Sequence, residues 1–464
     1  MSPDSFKRKW IILAAVSTSA FMGTIDASIV NIALPTLSSE FSIDVKTVSL
    51  VSISYLLVVT SFLIVGGKAG DFWGRKIVFI TGISIFTVGS FLCGISPNFP
   101  FLVGGRIVQA IGGAMLAGNS SALVTDSFPQ SERGKALGII GTVVSVGLTI
   151  GPPLGGLIIE YIGWRYIFWV NIPLGMAAVL VCIKTIPKDK PDPEHPGLDV
   201  PGAILLPLLL LSLIIGINFL GSGGLQNANF VILIIAFLVF TALFYRFEKR
   251  AEHPLIDFGL LFQKRFFFSN IAGFISYFSM IFVIILLPFY NEEMLGLSAG
   301  GSGRILLTLP LTTMFLAPMA GTVSDKIGQR VLASAGLIIA SFGFYLLTGL
   351  ESAGDVKDVV LRLVVIGVGF GIFTTPNNSA IMGAVPIAQR GLASGMLATV
   401  RNLGMSLGVA TSTSLFTLWK NDLLNQDLNY EIAFMQSFHR VLFIAIAVLL
   451  IGVAFSLLRG EEPE

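Results

Sequence analysis

The chain has 464 residues, of which 54% are hydrophobic and 12% charged, with a net charge of +2 and a mean hydropathy of +0.85. Ordinary soluble domains carry about 25% charged residues. These values exclude a water-soluble globule and a basic nucleic-acid binder, and they indicate a multi-pass membrane protein.

Apolar runs of about 20 residues are long enough to cross a bilayer core of about 30 Å as helices. They recur at 10–34, 47–67, 77–96, 101–125, 135–159, 164–186, 199–220, 228–247, 266–290, 303–323, 330–350, 359–382, 391–418 and 437–458. The first follows a basic start, MSPDSFKRKW, as a signal peptide does, but runs on to Pro35, too long for a cleaved signal. With the N-terminus placed inside, twenty of the 29 lysines and arginines fall in or beside inner loops, and the outer loops are acidic at Glu292, Glu293, Glu351, Asp355, Asp422 and Asp427. By the positive-inside rule this bias supports the even count of fourteen spans and cytoplasmic termini; the location expected is the inner (plasma) membrane. Cys93 and Cys182 lie in apolar runs and read as packing residues. His195, His253 and His439 fall in or beside loops without metal-ligand spacing.

The chain repeats itself. GKAGDFWGRK (67–76) and GTVSDKIGQR (321–330) share Gly-x3-Asp-x2-Gly and a following basic residue, with Asp71 and Asp325 standing 254 residues apart. Arg106 and Arg362 are 256 apart, Arg133 and Arg390 257, and Asn119 and Asn377 258. The fold class expected is therefore all-α: a six-helix bundle over 1–190, a linker with two extra spans over 191–255, and a second six-helix bundle over 256–464. Two similar halves about a central site is a transporter architecture.

Five segments carry a family likeness: DASIVNIALP (26–35), GKAGDFWGRK, GRIVQAIGGA (105–114), GLTIGPPLGG (147–156) and WRYIFWVNIPLG (164–175). Over nearly its whole length the chain resembles the major facilitator superfamily, and within it the 14-helix drug:proton antiporters. That resemblance implies twelve core helices in two bundles, alternating access by rocking, and an inserted helical pair. The Gly-Pro run of the fifth span resembles the mark of the superfamily's antiporters.

Asp26 is the one acid placed well inside a span. Buried ionisable groups in membrane helices usually face a cavity or a partner and mark function. It reads as a proton-coupling site, or as a structural hydrogen bond to a neighbouring helix. Arg106 resembles the family's coupling arginine of the fourth span; the bland alternative is an arginine snorkelling to the outer interface. Arg401 sits near the middle of the thirteenth span and is expected to meet an anionic group or to lock that helix to a neighbour. Met22, Asn31, Gln109, Asn119, Tyr277, Phe373, Asn377, Asn378 and Arg401 are candidates for a substrate cavity, with Phe370 beside Phe373 as an aromatic contributor. Asn119, Asn377 and Asn378 read equally as interhelical hydrogen bonds.

Gly67, Asp71, Gly74 and Arg75 form a conformational latch by resemblance, with Gly67, Gly70 and Gly74 permitting a tight turn and Asp71 near the start of the third helix. Asp325 and Arg330 form its second copy, degraded because Gln329 follows the glycine. Gly147, Gly151, Pro152, Gly155 and Gly156 read as simple tight helix packing or, compatibly, as packing at the interface between the halves with a hinge.

The function expected is a proton-coupled exporter of small lipophilic compounds, cationic ones included, acting as a monomer in the lipid bilayer, with the proton as coupling ion and no other cofactor. Export or flipping of a lipid or native metabolite is the alternative. A receptor or scaffold fits the internal repeat poorly. No Gly-x4-Gly-Lys-Ser/Thr loop points to ATP drive, and no histidine, nucleophile or second acid clusters with Asp26 to suggest an enzyme.

Overall fold

The computed structural model describes residues 3–129, 132–187, 200–220, 224–251, 258–386 and 390–460. Lys188, Lys190, His195, His253 and the side chain of Arg390 lie outside the described residues. Fourteen long helices follow in chain order: α1 Pro3–Phe41, α2 Leu50–Trp73, α3 Arg75–Gly94, α4 Phe99–Ser127, α5 Arg133–Tyr161, α6 Asn171–Thr185, α7 Val200–Leu220, α8 Ala228–Glu248, α9 Lys264–Phe289, α10 Thr308–Ile327, α11 Gln329–Leu347, α12 Val356–Gly383, α13 Arg390–Leu424 and α14 Tyr430–Leu458. Short helices precede α2 (Val45–Val48), α6 (Tyr166–Trp169) and α10 (Ala299–Leu306).

Each expected span lies on one of these helices. The helices outrun several of the spans, because polar residues prolong a helix without prolonging an apolar run. His439 thus lies inside α14, with its Nε2 3.0 Å from the Leu350 carbonyl. Among the described residues, thirteen helical spans are long and apolar enough to cross a membrane, by length and composition. The exception is α13, where Arg401, Asn402, Ser406 and the run from Thr411 to Ser414 break up the apolar surface.

By packing, the chain divides into two units. Unit 1 holds Met1–Phe41, Leu50–Leu211 and Ala236–Leu255; unit 2 holds Ser42–Ser49, Ser212–Ile235 and Ile256–Glu464. The pair α7 and α8 does not form a third unit, since the boundaries at Leu211 and Ile235 fall inside these helices. Within unit 1, α4 packs on α2, α3 and α1, while α6 packs on α3 and α1 and α5 packs on α1. Unit 2 repeats every one of these pairings with α12, α14 and α13 in the corresponding places. The sequence repeat is thus a repeat of packing.

Small residues make these pairings. Lipid tails are as apolar as leucine, so membrane helices associate where backbones can approach closely. A Cβ on Gly112 of α4 would overlap the backbone of Gly82 and Phe86 in α3, and one on Gly369 of α12 would overlap Gly336 and Ala340 in α11. Gly112→Val is therefore expected to cost about 1–3 kcal/mol of stability, read by thermal unfolding of the purified protein. Gly104→Ala, where a Cβ meets open space, is expected to be neutral.

A second seam joins α5 to α1. A methyl group on Gly147, Gly151 or Gly155 would strike Thr24, Ser28 or Ile29 respectively, and Ser28 Oγ donates to the Gly147 carbonyl at 3.3 Å. Pro152 and Gly156 are buried in the same helix. These glycines close on α1, a helix of their own unit. Unit 2 repeats the seam, with Gly404 and Gly408 of α13 closing on the backbone of Phe274 and Phe278 in α9.

Candidate functional site

Asp26 lies in the interior of α1, and Ser19, Met22 and Asp26, on one helical face, are all buried. Its carboxylate is fully buried and accepts three hydrogen bonds. Arg106 of α4 donates to Oδ2 at 2.5 Å, and Gln109 of α4 and Asn171 of α6 donate to Oδ1 at 2.8 and 3.0 Å. Arg106 is 1% exposed. It also donates to Gln109 Oε1 at 2.5 Å and to the Val51 carbonyl at 3.2 Å, and lies 4.2 Å from the centroid of the Tyr55 ring and 5.8 Å from that of Phe168. Gln109 also donates to Ser90 Oγ at 2.8 Å. Five helices therefore converge on one buried ion pair whose charges are hydrogen-bonded on nearly every side, which such a pair requires in order to exist in a low dielectric.

Burial overturns the snorkelling alternative for Arg106: the guanidinium turns inward, because a carboxylate and two amide or carbonyl oxygens await it there. The geometry also moves Gln109 from the expected cavity into the ion-pair network. Asn171, Ser90, Tyr55 and Phe168 were not legible as members. Asn171 and Phe168 stand in the WRYIFWVNIPLG motif, and Gln109 lies one turn after Arg106 in GRIVQAIGGA.

Most other cavity candidates serve packing in this conformation. Asn31 accepts from Ser52 Oγ at 3.0 Å, Asn119 donates to the Gly66 carbonyl at 2.7 Å, and Asn377 donates to the Ser269 carbonyl at 3.1 Å. Met22 packs toward Gly175, and Phe370 and Phe373 are buried against α11, Phe370 edge-on to Phe344. At most 5% of each of Met22, Asn31, Asn119, Phe373 and Asn377 is exposed, so none of the five lines open space in this conformation. Tyr277, Asn378 and Arg401 are only partly buried, and all three belong to unit 2.

The latch also differs from expectation. Asp71 lies in the last turn of α2, and Gly67 and Gly70 lie inside that helix against Gly118 and Asn119 of α4. Gly74 alone makes the turn, at φ 95°, where an L side chain is strained. Arg75, the first residue of α3, binds Asp71 at 2.9 Å and also Asp126 of α4. In the second copy Gly328 has φ 88°, but Asp325 is exposed and makes no ion pair with Arg330 among the described residues. Gln329, the residue that departs from the first copy, accepts from Arg265 at 2.9 Å. Because the Asp71 pair is solvent-screened, Asp71→Asn is expected to cost less than about 1 kcal/mol, and Asp325→Asn nothing measurable. Thermal unfolding of the two variants checks the difference.

The model of the Major Facilitator Superfamily matches residues 16–409. The chain belongs to the Major Facilitator Superfamily. It is similar to the riboflavin transporter RibZ of Clostridioides difficile, at 36% identity over 450 residues and 96% of each chain. It is also similar to the multidrug resistance protein Stp of Mycobacterium tuberculosis, at 29% identity over 420 residues, covering 90% of this chain and 78% of that one. Among solved structures, an inward-facing, unoccupied bacterial homologue of the human lysosomal transporter Spinster matches with a TM-score of 0.68 and 16% identity, over 99% and 97% of the two chains. That last likeness concerns fold alone. This superfamily member is a multi-pass membrane transporter and not an enzyme.

Proposed function

We propose that the protein is a proton-coupled secondary transporter that exports small lipophilic compounds by alternating access, with Asp26 as the proton site and Arg106 as its switch. The observation that carries this reading is the Asp26–Arg106 pair, fully buried between α1 and α4. Arginine stays charged at any relevant pH. A proton on Asp26 therefore removes the counter-charge and leaves the guanidinium unbalanced in a low dielectric, so the protonated and deprotonated states favour different arrangements of α1, α4 and α6. That is a two-state element biased by one proton. With the termini cytoplasmic, an inward-negative potential adds about 2.3 kcal/mol per charge per 100 mV to an entering proton. The Gly-Pro run of α5 and the likeness to Stp support export; the protein acts as a monomer.

A second reading is favoured by one specific observation. The 36% identity to a riboflavin transporter extends over 96% of both chains, which supports a planar vitamin-like substrate. Purified protein in liposomes with an imposed pH gradient separates the two. Gradient-driven movement of ethidium that a protonophore abolishes supports the first reading, and movement of riboflavin without ethidium supports the second. Movement of either compound that ignores the gradient would sink proton coupling.

A further inference from the structure

Among the described residues, Arg401 is an arginine in the interior of α13 that has no protein counter-ion. It is partly buried, and no hydrogen bond or ion pair joins it to any described residue. It lies eleven residues into α13, a helix of 35 residues, away from both helix ends. Residues 401, 404 and 408 fall on one helical face, so Arg401 heads the seam where α13 closes on α9. A Cβ on Gly404, one turn after Arg401, would stand 3.3 Å from the Tyr277 Cβ.

The surrounding charges sharpen the point. Among the described residues of unit 2, the acids stand in loops or near helix ends: Asp325, Asp358, Asp422 and Glu431 within three residues of a terminus, and Glu292 and Glu293 in the turn that ends α9. None faces the middle of α13. In unit 1 the Asp26 charge is already taken by Arg106. A cation reaching the middle of unit 2 finds no free carboxylate among these residues, whereas an anion finds a bare guanidinium. Such a charge within a span requires a partner, and a guanidinium fork matches a carboxylate or phosphate in two hydrogen bonds.

We propose that Arg401, flanked by Tyr277, is an anion subsite that takes the carboxylate or phosphate of a ligand whose apolar body lies along α9. The anion is the acidic group of a transported compound or the headgroup of a lipid. The assignment to a transported compound rests on the transport reading above; the anion site itself does not.

Fluorescein, a planar carboxylate, serves as the probe, with binding followed by fluorescence polarisation to protein in nanodiscs of phosphatidylcholine or phosphatidylglycerol. Arg401→Gln is expected to weaken binding about tenfold, and Arg401→Lys much less, with melting temperatures unchanged as the check on folding. If phosphatidylglycerol competes with fluorescein in wild type and not in Arg401→Gln, the site takes a lipid headgroup. Equal fluorescein affinity in both lipids assigns it to the transported acid. Affinity equal within about twofold for wild type and Arg401→Gln in both lipids overturns the proposal, as does wild type that binds no fluorescein in either. Arg401-dependent binding in protein that moves neither ethidium nor riboflavin would sink the transport reading and leave the anion subsite standing.

Discussion

Arg106→Gln is expected to destabilise the protein by about 3–5 kcal/mol, the cost of leaving one member of a buried ion pair without its counter-charge. Asp26 has no water to fall back on, being fully buried, and would keep only the neutral donors Gln109 and Asn171. The double variant Asp26→Asn, Arg106→Gln removes both charges and is expected to recover part of that loss, since two neutral amides can share a hydrogen bond. Thermal unfolding of the two single variants and the double variant measures the coupling energy directly. Additive losses would mean that the two side chains do not depend on each other.

Asp26→Asn is expected to separate movement from coupling. The amide keeps an oxygen for Gln109 and Asn171 but turns its NH2 toward the Arg106 donor at the former Oδ2 position. The variant should therefore unfold at a lower temperature than wild type, yet still exchange substrate across a membrane without a gradient. Accumulation driven by an imposed pH gradient should vanish, because an asparagine has no proton to bind or release. Exchange and accumulation measured on the same proteoliposomes check both halves of this expectation.

Residues that violate the apolar background were the legible ones. Asp26, Arg106 and Arg401 stand out because an ionised group inside a span costs free energy unless something answers it. The repeat was legible through Asp71 and Asp325, and the packing follows it down to Gly147 and Gly404. Which acid meets which arginine was not legible, because a contact between residues 26 and 106 depends on the rotation and depth of two helices, and neither is written in local periodicity. Asn119 and Asn377 were ambiguous for another reason: an amide that bonds a neighbouring backbone carbonyl looks the same in sequence as one that waits for a ligand. Gly67 and Gly70 misled as turn formers because glycine serves a close helix approach as readily as a tight turn.

In the proposed cycle Asp26 exchanges its proton as substrate binds. The most direct measurement adds ethidium or riboflavin, whichever the wild type moves, to purified protein in weakly buffered solution and follows the proton with a pH-sensitive dye. Wild type is expected to release protons on binding, and Asp26→Asn to bind the compound and release none. Equal proton release from both proteins would contradict the account and leave Asp26 as a structural contact between α1, α4 and α6.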